Sequence, residues 1–198
     1  MHCVKEYTFT SPRLGFRNWI DADIPQMIEV SADPEVMEYF TATATPDETR
    51  SFIEKMQSMY GERRHCYFAV DRLEDNQFIG FIGLCYQTYE SSFTPGVDIG
   101  WRLHKHYWGQ GYATEGARAN LEYAFHTLYL KSVFATTVEQ NLPSINVMKK
   151  IGMTKKLEFV HPKLIDHKRF LKCFCYEIFF DENDSQKKHN PSKMPTGL

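Results

Sequence analysis

The period of apolar and polar positions changes several times along the chain, and each change marks an element. Arg13-Leu14-Gly15-Phe16-Arg17-Asn18-Trp19 alternates residue by residue, which predicts a first strand. Asp21 and Asp23 then offer N-caps to a helix, with Pro25 in its first turn and Ile24, Met27 and Ile28 as its apolar stripe. A second short helix is expected from Asp33-Pro34-Glu35, carrying Val36, Met37 and Phe40. Thr45-Pro46-Asp47-Glu48 opens a third, with Phe52, Ile53, Met56 and Met59 at helical spacing before Gly61. These methionines read as core, the alternative being an adaptable substrate wall.

Two strands follow, Cys66 to Asp71 and Phe78 to Tyr86, joined through the hairpin-turn composition Glu74-Asp75-Asn76-Gln77. A turn over Ser91 to Gly96 leads to a strand from Val97 to Leu103, a glycine turn Trp108-Gly109-Gln110-Gly111-Tyr112-Ala113, and a helix from Thr114 to about Leu128. Ser132 to Glu139 is β-branched and reads as a buried strand. Asn141-Leu142-Pro143-Ser144 starts a short helix closed at Ile151-Gly152, and two strands finish the fold, Thr154 to His161 and Phe170 to Phe180. This order predicts an α/β fold: a mixed, mostly antiparallel sheet with helices on both faces. The Val97 and Ser132 strands should be parallel neighbours joined by a right-handed crossover. One domain is expected over residues 1–180, with 181–198 as a polar, frayed tail.

Composition narrows the function classes. The chain has 198 residues, 42% hydrophobic and 24% charged, which suits one soluble domain with a substantial core. A net charge of −2 argues against nucleic-acid binding by bulk basicity. No apolar run nears the roughly 20 residues of a membrane span, and no secretory pattern opens the sequence. The five cysteines (Cys3, Cys66, Cys85, Cys173, Cys175) are odd in number and fit neither a redox pair nor a zinc knuckle. Reduced thiols in a cytoplasmic protein are the expectation. His104 and His106 flank the glycine turn without a third ligand at metal spacing, so no metal is expected.

The glycine turn carries the chemistry. Gly109 and Gly111 let the backbone curl and point successive N–H groups into one concavity, and the following helix adds unpaired first-turn N–H groups and a positive dipole end. Together these form a seat for a phosphate or pyrophosphate. A Walker loop would need a lysine that Gly111-Tyr112-Ala113 lacks. A dinucleotide fold would place its glycines in the first βαβ unit, whereas this unit is late and follows antiparallel strands.

The surroundings of the turn are more specific. Trp108-Gly109-Gln110-Gly111-Tyr112-Ala113 resembles the phosphate-binding loop of the GCN5-related N-acetyltransferase superfamily. The run from Ile99-Gly100-Trp101-Arg102-Leu103 through Tyr107 to Glu115 is similar to the ribosomal-protein-alanine acetyltransferase branch of that superfamily. So is the segment Asn141-Leu142-Pro143-Ser144-Ile145-Asn146 followed by Lys150-Ile151-Gly152-Met153. The resemblance covers roughly Pro12 to Phe180. Trp108 replaces the usual Arg or Gln of the loop, and Asn146 stands where Arg is usual.

The resemblance implies the acyl-CoA N-acyltransferase fold, acetyl-CoA as donor and a primary amine as acceptor, in a monomer or homodimer. It implies that the parallel strands splay, so that the pantetheine arm pairs with the Val97 strand near Arg102 and Leu103. The pyrophosphate would meet Trp108, Gly109, Gln110, Gly111, Tyr112, Ala113 and Thr114, with Asn141 and Asn146 also touching the cofactor. Many relatives place a tyrosine acid where this chain has Met148, so Ser144, one helical turn earlier on the same face, is the candidate donor to the leaving thiolate. Ser144 or Asn141 would alternatively cap the helix. Glu139 leads as general base, with Asp98, Tyr86, Glu90 and His104 behind it. The acceptor cleft should be walled by Ala32 to Arg64 and by the turns near Tyr86 to Thr94. The acceptor itself is open: a protein N-terminal amine, favoured by the branch, a polyamine or an aminoglycoside-like drug. A catalytically idle acyl-CoA sensor on the same fold is the competing class.

Overall fold

The computed structural model describes residues 6–181. Cys3 and the tail expected beyond Asp181 lie outside them. The described chain forms an eight-stranded sheet in the order β1-β2-β3-β4-β5-β6-β8-β7. The strands are β1 (Phe9–Thr10), β2 (Leu14–Arg17), β3 (Tyr67–Arg72), β4 (Gln77–Gln87), β5 (Gly96–Leu103), β6 (Ser132–Val138), β7 (Thr154–Phe159) and β8 (Cys173–Phe179). The helices are α1 (Ile24–Ala32), α2 (Pro46–Arg63), α3 (Tyr112–His126) and α4 (Leu142–Lys150). All pairings are antiparallel except that of β5 with β6, the parallel pair flanking α3.

That one parallel pairing is short. Only Asp98 and Phe134 stand in register across β5 and β6. On their other sides the same strands pair along their whole length, β5 with β4 and β6 with β8. The sheet therefore forks, and α3 bridges it. Tyr112 at the head of α3 packs with Leu14, Phe16, Phe68 and Ile82, whereas Ala117 and Leu121 pack with Leu84, Ile145 and Met148 on the far side. Met27 and Met56 are fully buried and belong to the core.

Four stretches depart from the sequence pattern, each for a local reason. Asp33 to Phe40 is a run of turns rather than a helix: the Asp33 carboxylate accepts the N–H of Glu35 at 2.9 Å as an N-cap would, but after one i,i+4 bond from Met37 N–H to the Asp33 carbonyl the chain continues with i,i+3 turns, Glu38 N–H to Glu35 and Phe40 N–H to Met37. α2 runs through Gly61, which has open space around it, and stops where Arg64 adopts φ 61° and donates its N–H to the Tyr60 carbonyl. The first strand is shorter than the alternation suggests, because Trp19 leaves the sheet to donate its indole N–H to the Tyr67 carbonyl at 2.6 Å. β8 starts at Cys173, since Lys168–Phe170 form a turn of 3-10 helix. Among the described residues no helix is long and apolar enough to cross a membrane.

A buried ion cluster fixes the N-terminal half. Arg17, Asp23 and Asp71 are 2%, 2% and 0% exposed. The Arg17 guanidinium donates to both oxygens of Asp23 at 2.7 Å and to Asp71 at 2.7 and 3.0 Å, tying β2 to β3 and to the head of α1. Each charge has its hydrogen bonds satisfied, which is the condition for a buried pair to hold. Arg17→Ala leaves two buried carboxylates without their cation and should cost about 3–5 kcal/mol of unfolding free energy. An unfolding free energy, extrapolated from urea titration, that falls by less than about 1 kcal/mol would show that the cluster ties nothing.

Candidate active site

A cavity of about 790 Å³ opens at the fork. Its walls are β5 from Asp98 to Leu103, the glycine turn, the first turns of α4, and the turns that carry Glu35, Glu38, Tyr39 and Phe40, with Phe52 of α2. Beyond Asp98 the β5 backbone has no ladder partner on the β6 side, so an extended chain of amides can pair there as an added strand.

The glycine turn is built as an anion seat. Gly109 and Gly111 have φ of 73° and 81°, a left-handed conformation that side chains disfavour. A Cβ on Gly109 would meet nothing within 4 Å, and one on Gly111 only the Arg13 guanidinium at 3.6 Å, so both backbones are open to an approaching group. Gly111 is the N-cap of α3 and supplies no side-chain acceptor. By contrast, Thr45 caps α2 and Asn141 caps α4. The first-turn N–H groups of α3 thus keep their donors for a ligand. The Trp108 indole donates to the Leu103 carbonyl at 2.9 Å, fastening the turn to the end of β5. Arg13, which the sequence did not single out, holds the turn from outside. It donates to the Gln110 carbonyl at 3.1 Å, pairs with Glu115 at 2.6 Å and lies 4.4 Å over the Tyr112 ring.

Asp98 stands at the vertex of the fork and lines the cavity. It is 7% exposed, accepts the Tyr67 hydroxyl at 2.7 and 2.9 Å, and accepts the Gln87 amide at 3.1 Å. Burial pushes its pKa up to about 7, against the lowering effect of those donors. Burial, and then the carboxylate beside it, holds the Tyr67 phenol well above its ordinary range, so Tyr67 remains a neutral donor. A carboxyl that titrates near neutrality can take up a proton at physiological pH.

On α4 the two capping alternatives separate. Asn141 Oδ1 accepts the Ser144 N–H at 3.1 Å, so Asn141 is the cap. The Ser144 hydroxyl lines the cavity and has no partner among the described residues. Met148, 2% exposed, lies on the same wall.

The structure does not bring every expected residue to the cavity. Arg102, Leu103, Trp108, Gly109, Gly111, Tyr112, Ala113, Thr114, Asn141, Ser144 and Asn146 line it. Gln110 does not: its amide folds back to the His106 carbonyl at 2.9 Å. Glu139 lies outside the lining, on the surface and ion-paired with Lys172 at 2.5 Å. Tyr86, beneath the Arg63 guanidinium at 3.9 Å, and His104, stacked on His106 at 4.5 Å, also fall outside the lining, as does Glu90. The Tyr86 to Thr94 turn does not wall the cleft either, because Tyr89 and Phe93 pack onto His161, Phe159 and Phe134. Among the described residues no group of three His, Cys, Asp or Glu is placed to hold a metal.

Arg102 is the unexpected charge. Its Nη1 donates to Ser31 Oγ at 3.2 Å, its guanidinium lies 4.5 Å over Phe40 and 5.4 Å from Phe81, and its Nε is buried with no partner. Burial pulls its pKa down to about 10, which leaves it charged at neutral pH.

A forked mixed sheet with a glycine turn at the head of the bridging helix defines an acyl-CoA N-acyltransferase. Residues 13–154 match the family described as acetyltransferase (GNAT) domain; the chain belongs to that family and is an N-acetyltransferase. It is 32% identical over 148 residues to the uncharacterized N-acetyltransferase YnaD of Bacillus subtilis, covering 74% of this chain and 82% of that protein. The crystal structure of a GNAT-family acetyltransferase from Bacillus anthracis superposes with a TM-score of 0.71 at 30% identity, covering 86% of this chain and 96% of that one. RimL, a ribosomal L7/L12 alpha-N-protein acetyltransferase solved with coenzyme A, shares the fold at 14% identity, with a TM-score of 0.71 over 89% of this chain and 99% of its own.

Gly111→Val should weaken coenzyme A binding by at least tenfold, because the branched side chain is strained at this φ and would distort the turn whose N–H groups form the seat. Titration calorimetry with coenzyme A measures it. Unchanged affinity would remove the turn from the binding site.

Proposed function

We propose that the protein transfers an acetyl group from acetyl-CoA to a primary amine by direct attack, with Asp98 as general base and Ser144 as proton donor to the departing thiolate. The observation that supports this most is the meeting of three features in one cavity: the uncapped head of α3, the unpaired edge of β5, and a buried carboxyl at the point where the strands part. When bound, acetyl-CoA supplies an activated acyl thioester. The N–H groups of Gly109 to Thr114 would hold its diphosphate, and Arg102 to Leu103, Asn141 and Asn146 would flank its arm. Asp98 takes the proton that an ammonium must lose before its nitrogen can attack, directly or through one water. Tyr67 and Gln87 hold the carboxylate in place. Ser144, on the α4 wall, would donate to the departing thiolate, its own hydroxyl proton being replaced by the one the acylated nitrogen sheds or by solvent. The likeness to the ribosomal-protein-alanine branch favours a protein N-terminal amine as acceptor. The buried free thiols Cys66, Cys85, Cys173 and Cys175 suit the reducing cytoplasm.

Thiol release from acetyl-CoA against a panel of amines and N-terminal peptides tests the reading. Coenzyme A binding without turnover on any amine would instead identify a sensor. With a working acceptor, kcat/KM should rise as pH climbs through about 7 and then level off, because the base must be ionised. Asp98→Asn should lower kcat by about 100-fold.

The same substitution reports on stability. The Asp98 carboxyl has a folded pKa raised to about 7 against an unfolded value of about 3.9. Its contribution to stability is therefore full below pH 4 and is lost as pH rises through 7. Asp98→Asn should melt higher than the parent at pH 8 and close to it at pH 4. A variant that melts lower at pH 8 would contradict a strained buried carboxylate. Ser144→Ala should reduce kcat about tenfold with KM for acetyl-CoA unchanged. An unaltered kcat would take Ser144 out of the reaction.

A further inference from the structure

Asp98, Gly100 and Arg102 alternate onto one face of β5, the face that carries the Tyr67 and Phe81 rings stacked at 5.0 Å. A Cβ on Gly100 would come within 3.0 Å of the Tyr67 ring, so a glycine keeps the floor flat between the two charged residues. Asp98 and Arg102 stand four residues apart, about 13 Å along the strand. The acids of the opposite wall already have cations. Glu35 and Asp33 pair with Lys105, and Glu38 lies 3.7 Å from Arg169. Arg102 has no carboxylate within ion-pair distance among the described residues. Ser31 takes one Nη1 donor, two aromatic rings accompany the guanidinium, and Nε stays without an acceptor.

A half-buried guanidinium whose buried Nε has no acceptor, and which has no carboxylate beside it, calls for one. Its planar fork matches a carboxylate, which it binds bidentately. A polyamine brings further ammonium groups toward this cation with nothing to offset the repulsion. Resting on the amine-acetylation reading above, we infer that the acceptor carries a carboxylate as well as the amine, and that Arg102 binds this carboxylate while the amine faces Asp98. Arg102 is then a specificity determinant on the acceptor side, apart from any contact its backbone makes with the cofactor. The carboxylate belongs either to a free amino acid or to an acidic side chain near a peptide N-terminus, and the chemistry at Arg102 is the same for both.

The test uses matched acceptors. Free α- and ω-amino acids of increasing length are compared with their amides, and N-terminal peptides with Asp or Glu early in the sequence are compared with their Asn or Gln counterparts. Acetyl-CoA turnover is followed for the parent, Arg102→Lys and Arg102→Gln. The carboxylate member of a pair should have a KM lower by roughly 10- to 100-fold, the size of a lost charge-assisted hydrogen bond. That preference should shrink in Arg102→Lys and vanish in Arg102→Gln, with KM for acetyl-CoA unchanged in all three. Which series shows the preference identifies the source of the carboxylate. Equal KM values within every pair, a preference retained by Arg102→Gln, or a rise confined to KM for acetyl-CoA would overturn the inference. A purely structural Arg102 would lower the melting temperature on substitution and slow both members of a pair alike. If no amine turns over, the acetylation reading fails instead. The carboxylate preference is then read from ligand-induced melting shifts of the coenzyme A complex, where equal shifts for acid and amide count against Arg102.

Discussion

One rung of parallel pairing, Asp98 opposite Phe134, decides the layout of this molecule. A parallel ladder running the full length of β5 and β6 would satisfy every backbone group and leave no place for an extended ligand. Stopping after one position leaves the β5 edge open from Ile99 to Leu103, and the cavity forms along that opening. Everything the site needs lies within reach of the gap. The glycine turn hangs from Leu103 by the Trp108 indole, and α4 presents Ser144 across the opening.

The same rung explains why a carboxylate sits in the core. Asp98 is buried because it is the last residue gripped from both sides, and its partners Tyr67 and Gln87 come from the neighbouring strands β3 and β4. A stability-optimised sheet would place an apolar residue here, since burial opposes ionisation. In the proposed reaction this raised proton affinity is what a general base would use.

The sequence pattern carried most of the architecture because its signals are local. Alternation marked β2, hairpin-turn composition marked β3 and β4, β-branched density marked β6, and paired glycines marked the turn before α3. What it missed depended on neighbours distant in sequence or on the reach of local backbone bonds. Asp33 caps its turn as a helix start would, yet the bonds that follow from Glu38 and Phe40 reach back three residues rather than four. Gly61 signalled a helix end, yet packing of Ile53 and Met56 carried α2 past it to a left-handed Arg64. Glu139 looked close to the chemistry along the chain, but Lys172, 33 residues later, holds it at the surface. Asp98 carried a readable hint, an acid at an inward position of an otherwise buried strand. Arg13 carried none, and Arg102 was legible only as backbone beside the cofactor arm, because what surrounds their charges is laid there by the fold.

The fork also has a consequence for how the chain assembles. Strands β1 to β5 are consecutive in sequence and meander into one half-sheet, while β6, β7 and β8 form the other from the last third of the described chain. Within the first half β1–β2, β3–β4 and β4–β5 close over connections of three to eight residues, which is entropically cheap and quick, whereas α1 and α2 intervene between β2 and β3, and α4 between β6 and β7. The encounter of the two halves is their docking along α3, which carries apolar residues for both. Strand pairing contributes one rung to that encounter, so side-chain packing against α3 supplies most of the cohesion between the halves.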